Sequence, residues 1–139
     1  MNTFHMINWL AVLAAAAATF AIGALWYSPA LFARQWMAAH GYTAEQAAAM
    51  RKNMAMAFVG SFVCYIVIAA ALAALMVWTG RVGLVEGVKL ALLCWLGFAF
   101  TLGLTANLYS NKSRMVFVID ASYQLVFFIV MGAILGVWR

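Results

Sequence analysis

A chain of 139 residues that is 69% hydrophobic and only 8% charged is not an ordinary soluble domain, which carries about 25% charged residues. A fold of this size leaves a large share of its area wet, so this much apolar surface calls for lipid as solvent. The net charge of +5 is spread singly or in pairs between apolar runs, which suits lipid headgroups and lacks the basic patch that nucleic acid needs.

The first apolar run, 7–27, reaches the roughly 20 residues that a helix needs to cross the hydrocarbon. No Lys or Arg precedes it, and it is longer than the apolar core of a signal peptide, so it reads as a retained span. Ser28-Pro29 then reads as an N-cap followed by proline at the first helical position. Leu31, Phe32, Trp36 and Met37 recur at helical spacing, and Gly41 supplies a stop. The pattern predicts a short amphipathic helix at 29–40, lying in the membrane interface with Phe32 and Trp36 on one face. Trp26, Tyr27, Ser28, Pro29, Phe32 and Trp36 together form an interfacial motif. It reads as a membrane-surface elbow, with a ligand groove beneath it as the alternative. Thr43 and Gln46 then form a capping-box pattern, and the helix they start is expected to run through Arg51 and Lys52 into the second span.

The second and third spans are predicted at 54–78 and 84–109, and the short connection 80–83 makes them antiparallel neighbours. Glu86 and Lys89, three apart at the start of the third span, share a helix face and read as an interfacial ion pair. Cys64 and Cys94 lie inside apolar runs and read as small hydrophobes. The pairs Gly83/Gly87 and Gly132/Gly136, with Ala14, Ala18 and Ala21, let helices approach closely in lipid, either within one bundle or between subunits.

The fourth span, 115–138, holds Asp120. An Asp near a span centre costs roughly 2.5–3.5 kcal/mol on insertion scales, and less nearer the interface. Tyr123 and Gln124, three and four residues on, extend a polar stripe, and Asn107 on the preceding helix is expected at a similar depth. Asp120 then has two readings. In one, it is paired with Arg51, Lys52 or Arg114, or is hydrogen-bonded by Asn107 or Tyr123. In the other it faces a cavity and binds a proton or cation, with Tyr123, Gln124 and Asn107 around it. Both turn Asp120 into the bundle and away from lipid.

Arg34, Arg51, Lys52, Lys112 and Arg114 fall on one side of the membrane, and Arg81, Lys89 and Arg139 on the other. The positive-inside rule then places the first and third loops in the cytoplasm and both termini outside. His5 and His40 lie far apart in the chain, and no nucleophile–base set, metal-ligand cluster or phosphate loop is found, so no catalytic residue, metal or cofactor is expected. The whole chain, 1–139, reads as one membrane domain: an all-α, integral membrane four-transmembrane-helix bundle of the cell membrane. Two function classes fit it. One is a structural or accessory protein that binds lipid or a membrane partner. The other is a homo-oligomeric transporter or channel that uses Asp120. A membrane enzyme comes third. Membrane lipids and further copies of the chain are the expected partners, and nucleic acid is not.

Several stretches carry a resemblance. Asn8-Trp9-Leu10-Ala11-Val12, Gly23 and Trp26-Tyr27-Ser28-Pro29, followed by Phe32 and Trp36, resemble the bacterial membrane family called domain of unknown function 1761. Trp95-Leu96-Gly97-Phe98 and an Asp-containing last span that ends Met131-Gly132-Ala133-Ile134-Leu135-Gly136 fit the same pattern. The resemblance covers nearly the whole chain. It implies a four-span fold and brings no activity with it.

Overall fold

The computed structural model describes residues 2–139. In chain order it contains α1 (Thr3–Met6), α2 (Trp9–Trp26), α3 (Ala33–His40), α4 (Ala44–Lys52), α5 (Met54–Thr79), α6 (Leu84–Cys94), a π-helical stretch at Trp95–Phe100, α7 (Thr101–Tyr109) and α8 (Arg114–Val137). The π-helical stretch joins α6 and α7 into one rod. Four helices, Trp9–Trp26, Met54–Thr79, Leu84–Tyr109 and Arg114–Val137, are long and apolar enough to cross a membrane. The protein is therefore an all-helical, multi-pass membrane protein.

The helix ends follow local chemistry. Asn8 caps α2, its Oδ1 accepting from the Leu10 and Ala11 amides. Thr43 and Gln46 make both halves of the expected capping box on α4. Gly41 and Gly80 close α3 and α5 in the left-handed conformation, at φ of 75° and 66°.

Two expectations near the elbow need correction. The helix expected at 29–40 begins only at Ala33, because the Ser28 hydroxyl donates back to the Leu25 carbonyl and caps no helix ahead of it. The Phe32 amide reaches the Trp26 carbonyl, so 28–32 is spent closing α2 in turns. Nor does α4 run into the second span. Asn53 leaves the helical region at φ −124°, ψ 40°, and separates α4 from α5.

Packing is uneven along the bundle. At the end that carries both termini, Ala11, Val12 and Ala15 of α2 are fully buried against Ala69, Leu72, Ala73 and Met76 of α5 and Met131 and Leu135 of α8. Small side chains on α2 let three helices meet where lipid supplies no hydrophobic drive. Beside them, α6 and α8 touch backbone to backbone. The Gly83 amide donates to the Gly136 carbonyl at 2.9 Å. A Cβ on Gly132 would lie 2.5 Å from the Gly87 carbonyl oxygen. The paired glycines are thus used within one bundle. Towards the other end α5 has no buried residue before Ala69, and only rings such as Phe58 and Phe62 reach across to Phe20 of α2. That opening positions the site.

Candidate functional site

The elbow packs one face of α3 against α8 and leaves the other exposed. After Tyr27 the chain reverses, Pro29 donates no amide hydrogen, and α3 comes to rest against α8. Trp26 is the first anchor: its Nε1 donates to the Ile119 carbonyl at 3.2 Å. The Trp95 indole donates to the Ala121 carbonyl, also at 3.2 Å, so two indoles bracket position 120 on α8.

Asp120 is where the two sequence-predicted sets of residues meet. Its Oδ1 accepts from the Tyr27 hydroxyl at 2.5 Å and from Trp36 Nε1 at 3.0 Å. Rings pack around this centre. Tyr27 stands edge-on to Trp36 at 5.8 Å and to Tyr123 at 5.4 Å, and Trp26 packs on Phe32 at 5.1 Å. The aromatic motif of the elbow and the carboxylate of the last span therefore form one site. Phe32 and Trp36 turn to the bundle.

Tyr123 belongs to the site by a second route. Its hydroxyl donates to the Thr19 carbonyl at 2.9 Å, wholly buried. Gly23 makes room for this, since a Cβ there would lie 2.7 Å from the Tyr123 hydroxyl. Tyr123→Phe is expected to cost about 1 kcal/mol of stability, the net value of one such bond, and denaturant titration in detergent would read it.

The other residues expected near Asp120 lie elsewhere or do not pair with it. Asn107 is buried, but its amide donates to the Ser113 carbonyl and its Oδ1 accepts from Arg114, so it fastens the third loop. Gln124, half-buried, makes no side-chain hydrogen bond among the described residues. None of Arg51, Lys52 and Arg114 comes within ion-pair distance of Asp120; ion pairs among the described residues all end on Glu86. Glu86 holds Lys89 at 3.3 Å as expected and also Arg81, a pairing that helical spacing does not suggest.

Beside the elbow lies an open-sided cavity of about 840 Å³ lined by α2, α3, α4, α5 and α8. Its wall is mainly apolar, with Phe20, Ala24, Met37, Met54, Ala57 and Phe58 among the lining residues. Asp120, Tyr27, Trp36, Tyr65, Tyr123 and Ser61 add the polar groups, and Arg51, exposed, stands at its edge. Nothing in the sequence pattern points to Tyr65 and Ser61, which line the opening from the sparsely packed first half of α5.

The elbow is also tied to the third loop. Lys112 Nζ donates to the His40 carbonyl at 3.1 Å and lies 4.9 Å over the Tyr42 ring. The His40 ring stacks on Tyr42 at 4.8 Å and packs at a tilt on Trp36 at 4.1 Å. Both of its nitrogens are enclosed and without a hydrogen-bond partner. Desolvation, then the Lys112 charge, hold the imidazole below its ordinary pKa of 6.5, against an opposing pull from Asp120. The folded state thus disfavours proton uptake, so this contribution to stability is complete above pH 6.5 and is lost as pH falls through the lowered value. Hydrogen exchange over 33–42 is expected to speed up as pH falls through that window, after correction for intrinsic rates, and His40→Gln should flatten the dependence.

A sequence model of one family, described as proteins of unknown function (DUF1761), matches residues 10–136. The chain belongs to this family. The match takes in the elbow motif, the cavity and Asp120, and it leaves their role open. No curated protein and no solved structure matches the chain.

Proposed function

We propose that this family member is an accessory membrane protein that binds an amphipathic ligand in the cavity beside the elbow. The observation that carries the reading is the cavity itself: about 840 Å³, mostly apolar, with the Asp120 carboxylate on its wall. Small-molecule sites are concave, largely apolar and about 300–1,000 Å³, with a few placed polar groups. Alkyl chains suit the Phe20, Met54 and Phe58 end, and a polar head suits Asp120. By the balance of Lys and Arg, we place the cavity in the cytoplasmic half of the bilayer, with both termini outside. In a variant without Cys64 and Cys94, a cysteine placed in 110–114 should resist external labelling; strong labelling would reverse this orientation.

Ala57→Trp, which fills the cavity from α5, tests the reading. Native mass spectrometry of wild type purified in a neutral detergent should find an amphiphile bound, and the variant, with its helicity intact, should have lost it. Equal retention by both would count against the cavity as the binding place.

A second reading is transport coupled to a proton or cation, favoured by an intramembrane carboxylate that has no basic partner among the described residues. Against it stands the close-packed terminal half, where Ala11, Val12, Ala15, Ala16 and Met131 are fully buried. Transport would require that half to open. Proton flux in liposomes that Asp120→Asn abolishes would favour this reading over simple binding.

A further inference from the structure

We infer that the ligand of this cavity carries an ammonium head on an alkyl chain, and that Asp120 Oδ2 is the counter-ion for it. The inference rests on the amphiphile-binding reading above and names the class of ligand. Its first support is how the carboxylate is shared. Tyr27 and Trp36 both donate to Oδ1, which fixes the group in one orientation and leaves Oδ2 without a partner among the described residues. A carboxylate offers about four acceptor sites, and two of them are used. Oδ2 is not enclosed by protein, and Asp120 forms part of the cavity wall.

The second support is that, among the described residues, no Lys or Arg lies within ion-pair distance of Asp120, and the nearby His40 ring is enclosed without a hydrogen-bond partner. Lys112 and Arg114 are engaged with the His40 carbonyl and with Asn107. Arg51 lies at the edge of the cavity, exposed, and makes no ion pair with Asp120. A charge held at membrane depth is costly unless it is paired, so a ligand cation supplies what the chain does not. The third support is the lining. Tyr27, Trp36, Tyr65 and Tyr123 place aromatic rings around the same space, and ring faces attract ammonium groups, most strongly where water is excluded. An anionic head would meet Asp120 as a like charge. A hydroxyl head could donate to Oδ2 but would leave the charge uncompensated.

Two sources share this chemistry: a simple alkylammonium, and an aminophospholipid whose phosphate would meet Arg51 at the edge. The test uses the full chain in a neutral maltoside detergent, with three probes of matched chain length: an alkylamine, a lysophosphatidylethanolamine and a monoacylglycerol. Native mass spectrometry reads the bound fraction of each. Wild type should prefer at least one ammonium probe over the monoacylglycerol by about tenfold or more, the ratio that corresponds to about 1.4 kcal/mol. Asp120→Asn keeps an acceptor for Tyr27 and Trp36, and should bring that ratio to about one while leaving monoacylglycerol binding unchanged. Arg51→Gln weakening the phospholipid alone would point to the aminophospholipid; a preference confined to the alkylamine would point to the simple cation. Equal binding of all three probes by wild type, or a preference that survives in Asp120→Asn, would overturn the inference and leave the cavity reading standing. Failure of every probe to bind, with no difference between wild type and Ala57→Trp, would sink both. Should Asp120→Asn fold poorly, the matched-chain comparison on wild type decides alone: preference supports the inference and parity overturns it.

Discussion

Gly87→Val is expected to destabilise the protein by about 3 kcal/mol or more, at the upper end of what overpacking costs. A Cβ at Gly87 would run into the Gly132 carbonyl oxygen and lie 3.0 Å from the Gly136 Cα. Both obstacles are backbone, so no rotamer change relieves them. The two helices would have to separate, taking with them the hydrogen bond between the Gly83 amide and the Gly136 carbonyl. Gly97→Ala is the control. A Cβ added at Gly97 would meet nothing within 4 Å, so that change should be nearly neutral or mildly stabilising. Unfolding titrations of both variants in the same detergent would check the contrast.

Asp120→Leu should release the elbow. Two donors, the Tyr27 hydroxyl and the Trp36 indole, would lose their shared acceptor, at about 1–3 kcal/mol each when left unsatisfied. Leucine also removes the insertion cost of an acid, which is about 2.5–3.5 kcal/mol at a span centre and less near an end, where position 120 lies. The two effects act on different things. Insertion of α8 should be as good or better, while docking of α3 is lost. Hydrogen exchange over 33–42 should rise by a factor of about 30 or more, the ratio for about two kcal/mol, with α6 unchanged. Asp120→Asn, which still offers an acceptor, should lose about 1 kcal/mol or less.

Why the four spans can be read from sequence is plain: each is a long apolar run, and in lipid a helix is the structure that satisfies such a run's own backbone. The capping box at Thr43 and the stops at Gly41 and Gly80 are legible because their chemistry is local. The elbow is only half legible. Pro29 and the Phe32/Trp36 spacing announce a turn and a helix, but whether Ser28 caps forward or bonds back to Leu25 depends on how the chain must fold to reach α8. Asp120 is recognisable as an acid that needs partners. A charge calls for a charge, so basic side chains, with Asn107 and Tyr123, are the partners that the sequence suggests. The actual partners are a phenol and an indole from the elbow, 93 and 84 positions away in the chain. Tyr27 and Trp36, which read as parts of an interfacial motif, are its hydrogen-bond donors. The cavity is not legible, since α5 is apolar nearly all round and its sequence does not say which face stays unpacked.

Whether the elbow and Asp120 form one site is tested most directly by a double-mutant cycle between Trp36→Phe and Asp120→Ala, with the stability of all four proteins measured in one detergent. Trp36→Phe removes only the indole donor, and Asp120→Ala only the acceptor. Direct partners are expected to show a coupling of about 1 kcal/mol or more, within the range of roughly 0.5–3 kcal/mol seen for residues in contact. Costs that simply add, to within about 0.3–0.5 kcal/mol, would mean that Trp36 and Asp120 do not meet and would contradict a single site.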